Sequence, residues 1–222
     1  MLLVAELDPD RTLALSYVPA AKRPAISALW ALDSALGKVL AGGREPMISR
    51  IKLAWWRDSL EQLDGGGRPP AEPLLQALAE HVLPAGVKGA ELAEMEEGWA
   101  VLLSDSPLTD EDLALYAEKR GALLFRLSAR ALGAEPRGGD AAGGQAWALV
   151  DLARHSGNAL DADSAIAAAR RHVPARLLPA LRPLGMLDAL AQRDCDPRRP
   201  RWEGQGSPGR MWRMLRYRLT GK

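Results

Sequence analysis

Apolar residues recur along this chain at intervals of three and four positions, and short polar or Gly/Pro-containing breaks separate the repeats. In the stretch 24–41, Ile26, Leu29, Trp30 and Leu36 fall on one side of a helix. No run shows convincing alternation with period two, so the pattern argues against strands. It predicts helices at about 9–17, 24–41, 46–63, 72–82, 88–103, 110–132, 141–159, 161–172, 175–181, 186–193 and 208–219.

Glycine and proline mark the main breaks. Gly42-Gly43 ends the second predicted helix, and Gly65-Gly66-Gly67 ends the third. The latter lacks the Gly-Lys-Ser/Thr ending of a phosphate-binding loop, so it is interpreted as a linker. Together the breaks predict a helical domain over 1–193, a linker over 194–207 and a basic amphipathic helix over 208–222.

Composition narrows the classes of function. Hydrophobic residues make up 47% of the 222 residues, an ordinary fraction for a globular domain. The formal charge of +1 argues against a protein that coats nucleic acid. The charge is uneven, because residues 193–222 carry a net +6 and the rest of the chain a net −5.

The single cysteine, Cys195, excludes an internal disulfide and a cysteine-based metal cluster, which fits a reducing compartment. The N-terminal residues have no basic region followed by an apolar core, so no signal peptide is predicted. No run approaches the roughly 18 apolar residues of a membrane span. These features predict a cytoplasmic protein, with peripheral association at the inner membrane left open.

Several motifs occur in the order and at the spacing of one known family. They are Tyr17-Val18-Pro19, Arg23-Pro24-Ala25, Ala28-Leu29-Trp30-Ala31-Leu32, Arg50-x-x-Leu53-x-Trp55-Trp56-Arg57, Leu108-Thr109-Asp110 and Gly144-Gln145-Ala146-Trp147. Over roughly residues 8–190 the chain resembles the squalene/phytoene synthases. The resemblance implies a single-domain, all-α isoprenoid synthase fold, in which helices surround a central cavity.

The resemblance also locates the metal-binding motifs of catalytic members. Their first motif, D-D-x-x-D, corresponds here to the five residues 37–41, which read Gly-Lys-Val-Leu-Ala. At the second motif, Asp151 and Arg154 remain, and His155 stands where an aspartate is expected. Mg²⁺ held by facing carboxylates would neutralise a departing diphosphate. Without those carboxylates we expect a non-catalytic relative with neither a metal nor another cofactor.

One branch of the family, the mitochondrial complex I assembly factor with this fold, also lacks the acid motifs. The spacing of Glu45 and Trp55-Trp56 resembles that branch. The resemblance therefore implies a binding or assembly factor whose partner is a respiratory-complex subunit, or an isoprenoid or other lipid. The alternative is a Mg²⁺-dependent prenyl-diphosphate transferase that condenses its substrates head to head. Its metals would be held by other acids, such as Asp33, Asp58, Asp151 and Asp161.

Seven residues are candidates for the cavity or a ligand site: Asp33, Arg50, Trp55, Arg57, Asp151, Arg154 and His155. The three arginines would suit an anionic ligand such as a diphosphate or a lipid headgroup at the cavity mouth. The competing interpretation is salt bridges to the acidic fifth helix. Trp55 is otherwise expected in the core, like most of the tryptophans.

The acids and the histidine have structural alternatives too. Asp33 lies on the apolar side of its helix and is either a polar group facing the cavity or a partner of a neighbouring helix. Asp151 and His155 are four residues apart and share a helix face, so they are expected to pair. Acid–base chemistry is possible there, and a structural hydrogen bond is the simpler alternative.

The C-terminal segment is basic and amphipathic. Trp212, Leu215 and Leu219 share one helix face, with Arg213 and Arg216 beside it. Such a helix suits an anionic membrane surface. The alternative is a final helix docked on the domain.

Overall fold

The computed structural model describes residues 7–42, 45–67, 69–104, 107–173, 176–199 and 202–222. Within these ranges the chain forms α-helices and short 3₁₀ or π segments and has no strand, which confirms the all-α prediction. The α-helices are α1 Pro9–Ser16, α2 Arg23–Ala41, α3 Pro46–Glu61, α4 Pro73–His81, α5 Gly89–Ala93, α6 Met95–Ala100, α7 Asp110–Tyr116, α8 Leu123–Ala131, α9 Gly138–His155, α10 Ala159–Ala169, α11 Arg182–Asp194 and α12 Pro208–Thr220.

Helix α2 is central to the core. Pro24 lies in its first turn, where the missing N–H costs no hydrogen bond. Ile26, Leu29, Trp30 and Leu36 are completely buried, as the apolar spacing predicts. Each such side chain contributes roughly 1.5–3 kcal/mol through burial. The helix packs against α3, α4 and α8, so it holds one wall of the interior in place.

Several predicted boundaries differ from the structure. The helix predicted over 88–103 is divided at Glu94 into α5 and α6. Helix α9 ends at His155 because Ser156 is extended, and Asn158 rather than Asp161 or Asp163 caps α10 by accepting from the Leu160 N–H. Of the predicted helix 175–181, residue 175 lies outside the described ranges and only a 3₁₀ turn, Pro179–Leu181, is found. Gly43, in the break after α2, also lies outside them.

The residues Ala117–Ala122 form a π-helical segment that joins α7 to α8. This segment crosses α9 at very short range: a Cβ on Gly121 would lie 2.2 Å from the Gly144 carbonyl oxygen. Only a glycine allows the two backbones to come this close. The wider π turn also rotates the residues after it relative to an α-helix, and it directs Arg120 inward.

One face of α3 is not covered. Leu53, on α3, and Leu63, in the 3₁₀ turn after it, are buried as predicted. The other half of the predicted apolar face is exposed, including Ile48, Ile51 and Trp55, and Met47 extends it. The expectation that Trp55 belongs to the core is wrong, because 47% of this residue is accessible, and its ring packs edge-to-face on Trp56.

Helix α12 docks on the domain. It packs against α11 and α1 through Arg210, Met214 and Tyr217, and the Tyr217 ring lies over Gly185. The segment before it is also attached, since the Gly206 N–H donates to Asp10 Oδ1 at 3.0 Å. Among the described residues, no helix combines the length and apolar character needed to cross a bilayer.

Candidate functional site

A cavity of about 640 Å³ opens between the helices. Its wall combines residues from α1, α2, α6, α7, the π segment and α9. Five leucines make much of the wall apolar: Leu7, Leu40, Leu102, Leu108 and Leu152. Charged side chains lie together on one side of it, and Arg120 is at their centre.

The Arg120 guanidinium joins two carboxylates from different helices. Its Nε lies 2.7 Å from Asp33 Oδ1 on α2, and its Nη2 lies 3.0 Å from Asp33 Oδ2 and 2.7 Å from Asp151 Oδ2 on α9. Arg120 and Asp33 are fully buried. The geometry is therefore a closed, charge-assisted bridge between α2 and α9.

Aromatic rings surround the same guanidinium. The Arg120 Cζ lies 4.2 Å from the Trp99 ring centroid and 4.8 Å from that of Trp147, and Nη1 donates to the Tyr116 hydroxyl. Such cation–π contacts strengthen when water is excluded. Burial lowers the pKa of Arg120, but Asp33, Tyr116 and Asp151 outweigh it and raise that pKa well above the usual value. Arg120 is therefore a permanent cation in this wall.

A second arginine reinforces the first. Arg11 on α1 donates to Asp33 Oδ2 at 3.0 Å and to Asp8 Oδ2 at 2.5 Å. Burial opposes the charged form of Arg11, yet Asp33 and Asp8 raise its pKa overall. Asp33 therefore accepts hydrogen bonds from two guanidinium groups, one on α1 and one in the π segment. It has the partners on neighbouring elements that the sequence predicts.

Asp151 and His155 form the predicted pair on α9. The His155 Nδ1 lies 3.3 Å from Asp151 Oδ1 and 2.9 Å from the Asp151 backbone carbonyl oxygen. Burial acts to raise the pKa of Asp151, but Arg120 and His155 outweigh it and hold that pKa well below its usual range. The hydrogen bond to Asp151 raises the pKa of His155, whose side chain is 60% exposed at the cavity wall.

We expect His155 to titrate above the ordinary value of 6.5, because the Asp151 carboxylate stabilises its imidazolium. A folded-state pKa above the unfolded one contributes stability below pH 6.5 that is lost as the pH rises through the raised pKa. An NMR titration of the imidazole protons measures this. His172 is the internal control, since burial lowers its pKa, and equal pKa values for the two residues would contradict the predicted pairing.

The positions of the first acid motif also line the cavity. Gly37, Lys38, Leu40 and Ala41 are part of its wall. A Cβ on Gly37 would lie 2.8 Å from Trp99 Cη2, so the indole occupies the space that a side chain at this position needs. Trp99 and the lost carboxylate therefore exclude each other in this packing.

The described acids that could bind the Mg²⁺ of catalytic relatives are engaged with other groups. Within the described ranges, no group of three or more His, Cys, Asp or Glu side chains could hold a metal ion. Asp33 and Asp151 do converge, but Arg120 is already bound between them. Asp58 lies on the surface beside Arg57, and Asp161 accepts from the Leu108 N–H at 2.8 Å. This donor set does not fit a divalent cation.

The remaining candidates lie outside the residues that line this cavity. Arg50 donates to the Leu103 carbonyl oxygen, and Arg57 lies near Asp58 and 4.0 Å from Glu96 of the acidic α6. Arg154 donates to Asp194 and to the Glu203 carbonyl oxygen. Trp55 is on the exposed face of α3. The cavity-mouth role predicted for the three arginines has no contact that supports it.

Sequence reasoning missed the residue at the centre of the cluster. Arg120 follows Glu118 and Lys119, so the run resembles a solvated helix face. The available signal is its distance from Tyr116, since residues four apart share a helix face and tyrosine is a large aromatic residue that helix faces often bury. Arg11 and Trp99 were also missed as cavity residues.

The chain was compared with family models, curated proteins and solved structures. The model of the family described as squalene/phytoene synthase matches residues 4–166, which is most of the chain and includes α1, α2, α9 and the π segment. No curated protein and no solved structure matched. With the all-α architecture and the central cavity, this match shows that the chain belongs to the squalene/phytoene synthase family.

Proposed function

We propose that this protein is a non-catalytic squalene/phytoene synthase-like protein that acts as a binding or assembly factor. The observation that carries the proposal is the position of Arg120, which is fixed between Asp33 and Asp151. The Arg120 guanidinium bridges two carboxylates that converge in the interior, and Arg11 contributes the second positive charge that balances them. Carboxylates paired in this way are poor ligands for a divalent cation.

The electrostatics disfavour the chemistry of catalytic relatives. Ionisation of a prenyl diphosphate develops charge that bound Mg²⁺ must stabilise. Here the positions of the first acid motif supply glycine, lysine and alanine, and Trp99 fills the space beside Gly37. Lys38 alone cannot replace a cluster of divalent ions.

The cavity supports the binding of a small apolar ligand. Its volume of about 640 Å³ falls in the range of about 300–1,000 Å³ that is usual for ligand sites. The described wall residues include three basic and four acidic side chains: Arg11, Lys38, Arg120, Asp8, Asp33, Asp151 and Asp161. A wall so balanced suits an isoprenoid or lipid chain better than a free diphosphate.

The exposed face of α3 supports a protein partner. Met47, Ile48, Ile51 and Trp55 follow one another along about two turns, and the cationic Lys52 lies beside them. The family resemblance favours a respiratory complex I subunit at the membrane as the partner. The surface that binds α3 would be an apolar patch edged with acidic residues. Photo-crosslinking from position 51 tests this, with position 160 as an exposed control, and labelling no such subunit would refute it.

We expect no pyrophosphate when the protein is incubated with farnesyl or geranylgeranyl diphosphate and Mg²⁺. The reason is that no group of acids among the described residues could hold the metal ions that would stabilise the leaving group. An enzyme-coupled pyrophosphate assay measures this, and a catalytic squalene synthase serves as the positive control. Turnover above the buffer rate would establish the alternative, a Mg²⁺-dependent prenyl-diphosphate transferase.

A further inference from the structure

The docked helix α12 has two different faces. Arg210, Met214 and Tyr217 point toward the domain and are buried. The opposite face carries Trp212 and Leu219, which are 70% and 76% exposed, together with Met211 and the half-buried Leu215. A docked helix normally turns apolar side chains inward. Here a second apolar face is left on the outside.

This outward face lies in a positively charged region. Pro208–Thr220 contains four arginines and no acidic residue. Arg182 donates to the Arg218 carbonyl oxygen at the end of the helix. Burial lowers the pKa of Arg213, and repulsion by Arg216 and Arg199 lowers it further, while Asp188 and Tyr217 offset only part of this lowering. Bound anions would relieve that repulsion.

The outward face is preformed. Arg210 donates to Asp10 Oδ2 at 2.9 Å and to Asp194 at 2.8 and 2.6 Å, so both ion pairs hold the helix from below. The Tyr217 ring over Gly185 fixes the last turns. The rotation of α12 about its axis is therefore set by buried contacts, and its apolar face does not depend on a binding partner to be exposed.

We propose that the outward face of α12, formed by Met211, Trp212, Leu215, Arg216 and Leu219 with the half-buried Arg213 at its edge, binds an anionic lipid bilayer while the helix stays docked. Charge decides the choice of a lipid surface, because α12 carries three arginines besides the buried Arg210 and has no acidic residue to offset them, which complements a continuous anionic surface. Trp212 is an amphipathic ring suited to the headgroup region. The proposal is independent of what the cavity holds.

Site-specific fluorescence tests which face touches the bilayer. Cys195 is buried and burial raises its pKa to about 11, so an introduced cysteine can be labelled selectively. The dye NBD is attached in Leu219→Cys and, as a control on α10, in Leu160→Cys, since both positions are exposed. We expect the NBD emission to shift to the blue only in Leu219→Cys and only with vesicles that contain phosphatidylglycerol. High salt should reverse this shift.

Substitutions measure the contribution of charge. Arg216→Gln should weaken co-sedimentation with phosphatidylglycerol vesicles about fivefold, because one basic group near an anionic surface contributes on the order of 1 kcal/mol. Lys22→Gln removes an exposed cation at the start of α2 and should leave binding unchanged. Circular dichroism checks that each variant is folded. Equal shifts at positions 219 and 160, no vesicle binding by the full chain, or equal binding by Arg216→Gln and wild type would each overturn the proposal.

Discussion

Replacing Arg120 with methionine is expected to lower the free energy of unfolding by about 3–5 kcal/mol, the usual result of removing one partner from a buried ion pair. Methionine keeps much of the volume of the side chain, so the loss reports charge rather than a void. The substitution leaves the fully buried Asp33 with Arg11 alone and removes a guanidinium partner from Asp151. Chemical denaturation at neutral pH measures the change.

The pH dependence separates lost charge from lost packing. In the wild type, the depressed pKa of Asp151 contributes stability above its unfolded pKa that disappears as the pH falls through the folded one. Without Arg120, only His155 and Arg11 oppose the effect of burial, so the pKa of Asp151 should rise and the variant should regain stability relative to the wild type as the pH falls. The double variant Arg120→Met/Asp33→Asn should recover part of the loss at neutral pH.

A matched control lies one to two turns along the chain. Arg126 on α8 pairs with Glu118 at 2.7 Å, with about a third of its side chain exposed. Arg126→Met should cost about 0–1 kcal/mol, as surface ion pairs do. If Arg120→Met and Arg126→Met had the same small effect, Arg120 would not be the centre of a buried cluster, and its ion pairs would not exclude a metal site.

The fold could be predicted because it depends on local patterns. Apolar residues at intervals of three and four positions put Ile26, Leu29 and Trp30 on the buried side of α2. Pro46 marks the start of α3. The missing acids at positions 37–41 were also visible, since a motif can be checked one residue at a time. The side chains that surround these positions could not be predicted, because Trp99 contacts Gly37 only after the chain folds.

Burial of charge could not be predicted in the same way. Arg120 lies in a π segment, where the extra residue in the turn breaks the 3.6-residue periodicity from which a buried face is inferred. The close crossing of Gly121 and Gly144 is a contact between distant parts of the chain. Periodicity likewise identified an apolar face on α3 without showing that half of it has no partner within the described ranges. These features depend on which helices meet.

Replacing Arg210 with methionine is the second large effect we expect, again about 3–5 kcal/mol of unfolding free energy. Arg210 is buried between Asp10 on α1 and Asp194 on α11, two acids that are themselves buried. Asp194 keeps Arg154 as a partner, so most of the loss falls on Asp10, which retains only the Gly206 N–H among its described contacts. Chemical denaturation measures the change, and Arg210→Met/Asp10→Asn should restore part of it.

The same substitution tests whether α12 is held by this cluster. Because Arg210 connects α12 to α1 and α11, its loss should expose the arginine-rich helix to trypsin at concentrations that leave the wild-type helix intact. Arg198→Met is the control, since Arg198 pairs with Asp196 in solvent and should change neither stability nor cleavage. If Arg210→Met resisted trypsin as well as the wild type does, Met214 and Tyr217 would hold the helix without the ion pairs. The orientation of its outward face would then depend on apolar packing alone.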